Sequence, residues 1–173
     1  MSEDMVVHLF TLARAAREAS RMFVPIVFWM NQDGEVSMVL APHDNDGGLP
    51  TAFRGASGML LEAEGFPVWV AMAVDAYGRL TDADEFEGGE RIGAGTLDAR
   101  FWDGDGRVVE QIMIIIASPN DTARVYRQVY RYTPVDGWEW DAEERIIFPV
   151  LPDQDLLGAM ELVVSDPTGS MGS

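Results

Sequence analysis

The 173-residue sequence predicts an α+β fold: a single domain in which helices pack on a largely antiparallel, curved sheet. Three observations carry that expectation. Apolar residues recur with helical spacing near the start, in the middle and near the end; paired apolar runs flank Asp-Gly turns; and Val68 to Val74 is an unbroken apolar stretch of strand-forming residues.

Residues 3 to 21 read as an amphipathic helix. Met5, Leu9, Leu12, Ala16 and Ala19 fall near one face, and Glu3, Arg14, Arg17, Glu18 and Arg21 lie largely elsewhere. Ser2 is placed to cap it, with Glu3 and Asp4 suited to the positive helix start. Residues 23 to 30 and 35 to 40 are apolar runs on either side of Asn31-Gln-Asp-Gly34, a β-hairpin signal. Pro42 to Pro50 is a loop by composition. Thr51 then caps a second helix running to about Glu64, which offers Phe53, Met59, Leu60 and Ala63 to the core and stops at Gly65. Residues 66 to 77 follow as a strand apolar enough to be buried on both faces.

Residues 78 to 94, rich in Asp, Glu and Gly, read as an exposed loop. Residues 95 to 102 and 107 to 117 form strands joined by Asp103-Gly-Asp-Gly106, a second hairpin signal. Ser118 to Asp121 turns the chain, residues 123 to 133 return antiparallel, and Pro134 to Gly137 turns it again before a short Trp138-Glu-Trp140 strand. Residues 146 to 150 make a last strand and residues 152 to 162 a short helix. Residues 165 to 173, SDPTGSMGS, have nothing to bury and form a mobile tail after a domain spanning 1 to 164. The order of helix, hairpin, helix, strand meander and short helix resembles the roadblock/longin and profilin-like layouts, in which helices pack on a curved antiparallel sheet. That resemblance is one of topology and transfers no function.

Composition excludes more chemistry than any motif supports. Twenty-nine carboxylates face twelve cations, a net charge of −17, and every cation is arginine, for the chain has neither lysine nor cysteine. Without lysine there is no Schiff base, no Walker-type phosphate loop, no kinase-type nucleotide lysine and no Ser-Lys acylation pair. Without cysteine there is no thiolate nucleophile, CxxC redox pair, thiolate zinc site or disulfide. His8 and His43 are the two imidazoles, so an enzyme built on this chain would work with carboxylates, hydroxyls, arginine or a bound metal. The charge repels nucleic-acid phosphates, which argues against direct DNA or RNA binding. The N-terminal stretch is acidic and broken by His8, unlike a secretory signal, and the apolar runs, Ile112 to Ala117 and Val68 to Val74 among them, are far short of the roughly 20 residues that span a bilayer. The expected location is cytoplasmic. Arginine in place of lysine, with abundant Ala, Gly, Asp and Val, suggests a GC-rich bacterial or bacteriophage coding sequence.

Six segments carry candidate chemistry. His43, Asp44 and Asp46 group an imidazole and two carboxylates in a loop that would hold a divalent metal, although the spacing is not that of an EF-hand and suits a solvated turn equally. Asp103 and Asp105 invite the same reading and are explained by hairpin geometry alone. Two acidic groups, Asp82, Asp84, Glu85, Glu87 and Glu90, then Trp138, Glu139, Trp140, Asp141, Glu143 and Glu144 with Asp136 beside them, would present charge and aromatic anchors to a basic protein surface. The alternative is a solvated acidic surface with the tryptophans in the core. Alternation along Arg124 to Tyr132 places Arg124, Tyr126, Gln128, Tyr130 and Tyr132 on one side and Val125, Arg127, Val129 and Arg131 on the other, with the arginines expected to pair with carboxylates across the sheet. Ser57 in Gly55-Ala-Ser-Gly58 lacks the preceding strand of a nucleophile elbow.

The leading expectation is a non-enzymatic protein-binding factor, an accessory protein whose acidic surface engages a basic partner without contacting membrane or nucleic acid. The alternatives are a metal-dependent hydrolase using His43, Asp44 and Asp46, and a structural component that self-assembles as a homo-oligomer.

Overall fold

The computed structural model describes residues 2–42, 48–79, 90–93, 108–121, 123–141, 144–147 and 154–165, of which 76–79, 90–93, 108–109, 144–147 and 154 are described through their backbone. Helix α1 (Glu3–Ala19) starts as the sequence indicates, the Ser2 hydroxyl oxygen accepting the Met5 N–H at 3.2 Å. Its buried stripe is Val6, Leu9, Phe10 and Ala13, with Met5, Leu12 and Ala16 flanking it and Ala19 exposed. The face is rotated from the expected one because Phe10 buries far more apolar area than the alanines it displaces.

Strands β1 (Ile26–Met30) and β2 (Val36–Leu40) form the first hairpin. The Asn31 side-chain oxygen accepts the N–H groups of Asp33 and Glu35 at 3.0 and 2.9 Å, which closes the turn, and Gly34 adopts φ +84° within it. Helix α2 (Gly48–Glu64) begins earlier than expected, so Gly48 to Pro50 are its first turn rather than loop, a place where proline's missing N–H costs no hydrogen bond. It ends at Gly65, whose φ of +78° and N–H bonded to the Leu61 carbonyl make the expected stop. Phe53 and Leu60 are buried with Ala52 and Ala56, whereas Met59 and Ala63 point to solvent, one position off the buried stripe.

The remaining elements are β3 (Trp69–Arg79), β4 (Glu90–Gly93), β5 (Val108–Ala117), β6 (Arg124–Thr133), β7 (Gly137–Trp140), β8 (Glu144–Ile147) and α3 (Gln154–Ser165). Both ends of the acidic stretch read as a loop are therefore strand: residues 78 and 79 continue β3, and Glu90 to Gly93 pair antiparallel with β8, a tertiary pairing that overrides local composition. Of the expected strand at 146 to 150, residues 146 and 147 belong to β8, which begins at Glu144, and 148 to 150 lie outside the described residues; Ser165, assigned to a tail, closes α3. Residues 43–47, 80–89, 94–107, 148–153 and 166–173, with the parts of the expected loop, strand, hairpin, helix and tail assignments that fall on them, lie outside the described residues.

All strand pairs are antiparallel, in the order β2-β1-β3-β5-β6-β8-β4, and the sheet curls as a half-barrel. The outer edge of β6 is shared: residues 124 to 127 pair with β8 and residues 130 to 133 with β7. Alternation sends each central strand's side chains into two separate cores. Ile26, Phe28, Ala71, Ala73, Ile112 and Ile114 meet α1 on one face, and Val27, Trp29, Val70, Met72, Ile115 and Val125 meet α2 and α3 on the other. Burial on both sides is why β1, β3 and β5 read as nearly continuous apolar runs.

Candidate functional site

The hairpin of β6 and β7 sets the register that builds the site. Tyr130 stands opposite Trp140 and Tyr132 opposite Trp138, so the four rings share the face covered by α1, and Arg131 and Glu139 point to the opposite face. The rings form one row, with centroids 4.9 Å apart for Tyr132 and Trp138, 5.7 Å for Tyr130 and Trp138, and 4.8 Å for Tyr130 and Trp140. Trp138 and Trp140 lie nearly parallel at 6.1 Å. These separations are those of favourable ring pairs.

The last turn of α1 lies over this row. Arg17 follows Val6, Phe10 and Ala13 on the buried stripe, and its guanidinium carbon stands 4.9 Å from the Trp138 centroid and 5.5 Å from that of Tyr130. Its Nε donates to the Tyr130 hydroxyl at 3.0 Å and lies 3.2 Å from Asp75 Oδ2, and its Nη1 donates to the Ser20 carbonyl at 2.9 Å. The Tyr130 hydroxyl in turn donates to Asp75 Oδ1 at 2.7 Å. Arg17, Tyr130 and Asp75 thus close a triangle beneath α1. Next to it, the Trp140 indole N–H donates to Glu18 Oε1 at 2.7 Å.

Electrostatics hold the protons of this triangle in place. Burial by itself disfavours the Arg17 charge, but the hydrogen bond to Tyr130 and the negative charges of Asp75 and Glu110 outweigh it, leaving the guanidinium pKa above its ordinary value. Burial first, then the hydrogen bond and charge of Asp75, push the Tyr130 phenol well above the ordinary tyrosine range despite the opposing influence of Arg17. Both groups are held in their protonated forms, the guanidinium charged and the phenol neutral, and act as hydrogen-bond donors.

Beside the triangle, an open cleft of about 580 Å³ is lined by Arg17, Glu18, Ser20, Arg21, Glu110, Tyr132 and Trp138. Tyr132 is 55% exposed and forms its rim. A smaller recess of about 260 Å³ lies between the end of β2 and α2, lined among the described residues by Leu40, Ala52, Ala56 and Met59 with other uncharged residues. The larger cleft combines aromatic surface, carboxylates and a preorganised cation.

Of the residues singled out by sequence, Trp138 and Trp140 are in this site, partly buried at the edge of the α1 core. Glu139 is on the other face, where it pairs with Arg131 at 2.8 Å, and Arg131 also reaches Asp136 at 3.5 Å. The expected alternation of β6 holds, while its arginines differ in their partners: Arg131 pairs with Glu139 across the sheet, Arg124 with Asp121 at 3.1 Å in its own turn, and buried Arg127 donates to the Gln111 side chain at 3.5 Å. Asp141 bonds through its backbone, donating to the Val129 carbonyl and accepting from the Gln128 side chain. Glu90 and Glu144 are placed by backbone on the paired strands β4 and β8, and His43, Asp44, Asp46, Asp82, Asp84, Glu85, Glu87, Asp103, Asp105 and Glu143 lie outside the described residues. Among the described residues no three His, Cys, Asp or Glu side chains gather to hold a metal ion. Ser57 is inside α2, buried, its hydroxyl donating to the Arg54 carbonyl at 3.2 Å. His8 is exposed on α1.

Sequence reasoning did not assemble Arg17, Asp75 and Tyr130. Two signals point to them: Arg17 lies seven residues after Phe10 and four after Ala13, on the buried stripe, and Asp75 is the charged residue that ends the apolar run of β3. No protein-family model, curated protein or solved structure matches this chain.

Proposed function

We propose that this chain is a non-enzymatic, cytoplasmic protein-binding factor that engages a basic partner, and that the cleft between α1 and the β6–β7 hairpin is where the partner seats. The observation that carries this reading is the row of Tyr132, Trp138 and Trp140 set beside the carboxylates of Glu18 and Glu110. Aromatic side chains with one open edge are the residue type that anchors protein interfaces, and the net charge of −17 steers a positive surface toward them. Arg17 and Tyr130 support the same reading, because both keep their protons near neutral pH and fix the shape of the cleft.

Capture from a bacterial lysate tests it. The immobilised protein is expected to retain a basic protein at low salt and release it at high salt, and the Tyr132→Ala, Trp138→Ala double variant is expected to retain much less. Retention that ignores both salt and the double substitution would remove the cleft as the binding surface, and no salt-sensitive protein at all would remove the reading itself. No membrane contact enters this proposal: among the described residues no helix is long and apolar enough to cross a bilayer.

A further inference from the structure

Resting on that reading, we infer that the cleft accepts the side chain of an arginine of the partner. Arg17 supplies the internal example. Its guanidinium carbon lies 4.9 Å from the Trp138 ring centre while its Nε hydrogen-bonds to the Tyr130 hydroxyl and pairs with Asp75. The same aromatic row continues past Arg17 to Tyr132, whose ring is 4.9 Å from Trp138 and mostly open to solvent.

Charge decides the sign of the guest. Arg17 is balanced by Asp75 at 3.2 Å, so the lining that remains is Glu18 and Glu110 against Arg21. An anion entering here would meet two carboxylates on a molecule that already carries −17. A cation gains both the ring faces and the carboxylates. Arginine is favoured over lysine because a planar guanidinium can stack on Tyr132 or Trp138 while its edge forks onto a carboxylate, whereas an ammonium is a compact, strongly hydrated point charge. The volume of about 580 Å³ is ample for one long side chain and its peptide backbone.

The experiment uses four short blocked peptides, Gly-Gly-Xaa-Gly-Gly, with arginine, its uncharged isostere citrulline, lysine or glutamate at the centre. Binding is followed at low salt by the indole N–H resonances of the full-length protein, which register weak contacts at individual tryptophans. The arginine peptide is expected to shift the Trp138 resonance and to bind at least tenfold more tightly than the citrulline peptide. Tyr132→Ala and Glu110→Gln, at an exposed ring and a cleft carboxylate, are each expected to weaken it severalfold at a temperature where the variant is still fully folded. Equal binding of arginine and citrulline, tighter binding of lysine or glutamate, or indifference to both substitutions overturns the inference. Lysate capture that survives such a result would show a basic partner held by other means, so the two readings fail separately.

Discussion

The Arg17 guanidinium carbon lies 4.9 Å from the centre of the Trp138 ring, joining the last turn of α1 to a hairpin more than a hundred residues further along the chain. One side chain therefore clamps the helix, through Tyr130 and Asp75, to β6 and β3 as well as to β7. Local sequence gives α1 its amphipathic face, but this clamp fixes where its C-terminal end sits over the sheet.

Arg17→Ala is expected to be costly for that reason. It removes a charge-assisted hydrogen bond, an ion pair and two ring contacts, and it leaves Asp75 partly buried with one fewer partner. Because the site is not fully enclosed, the cost should be about 2 kcal/mol rather than the 3–5 of a fully buried pair. Urea denaturation checks it, with an unchanged slope required for a pure stability effect. Arg17→Lys keeps the charge but not the fork or the stacking plane, so it should recover only part of the loss.

Tyr130 makes stability fall in alkali. Its folded pKa is raised above the unfolded value of about 10, so its contribution is fully present below that pH and is lost as the pH climbs from there toward the folded pKa. Stability measured by denaturant should thus decline above about pH 10, and Tyr130→Phe should show a shallower decline over the same window. The phenolate absorbance of wild type minus that of Tyr130→Phe should stay absent at those pH values until the protein unfolds. A Tyr130 phenolate signal near pH 10 in the folded protein would contradict the burial and hydrogen bonding that raise its pKa.

A pair of substitutions on α2 separates what pattern reveals from what only packing reveals. Phe53 is fully buried against the α2/α3 face of the sheet, and Met59, which the sequence pattern places in the core with it, is 62% exposed. Phe53→Ala should cost about 3–5 kcal/mol and Met59→Ala no more than about 0.5 kcal/mol by thermal or denaturant unfolding. A large loss at Met59 would mean that something else covers it in solution.

That contrast shows where the sequence is legible. β3 is readable because burial on both faces leaves an unbroken apolar run, and the turn at Asn31 to Gly34 because Asn and Gly are needed for its geometry. The helix faces are readable only to within one position, since Met, Ala and Phe all count as apolar while their sizes decide which turns inward. β4 is hidden because its pairing with β8 joins segments more than fifty residues apart, and charged residues there satisfy a strand's backbone without resembling one. The candidate site is half legible: period two places Tyr130 and Tyr132 together and Trp138 and Trp140 together, but which helix end covers them is decided by the sheet order. Arg17 is counted as polar by any pattern, although its position on the buried stripe gives it away.

Asn31 offers a last test, in which electrostatics alone should change sign of effect with pH. Its side chain is 94% removed from solvent: the oxygen accepts two turn N–H groups, and the nitrogen donates to Glu64 at 3.1 Å and to Glu35 at 3.4 Å. Asn31→Asp keeps the acceptor and converts the donor into a carboxylate facing two others. At neutral pH three like charges would then crowd a partly buried turn, and the variant should lose about 2–3 kcal/mol. As the pH falls toward about 4, the ordinary range of an aspartate, the introduced carboxyl takes up a proton and can donate again, and the deficit relative to wild type should shrink by more than half. Asn31→Ala, which loses the turn acceptor and gains no charge, should show a deficit that is nearly independent of pH in the same denaturation series. If Asn31→Asp and Asn31→Ala track each other from pH 7 to 4, the turn is held by its backbone and not by the amide bridging Glu35 and Glu64.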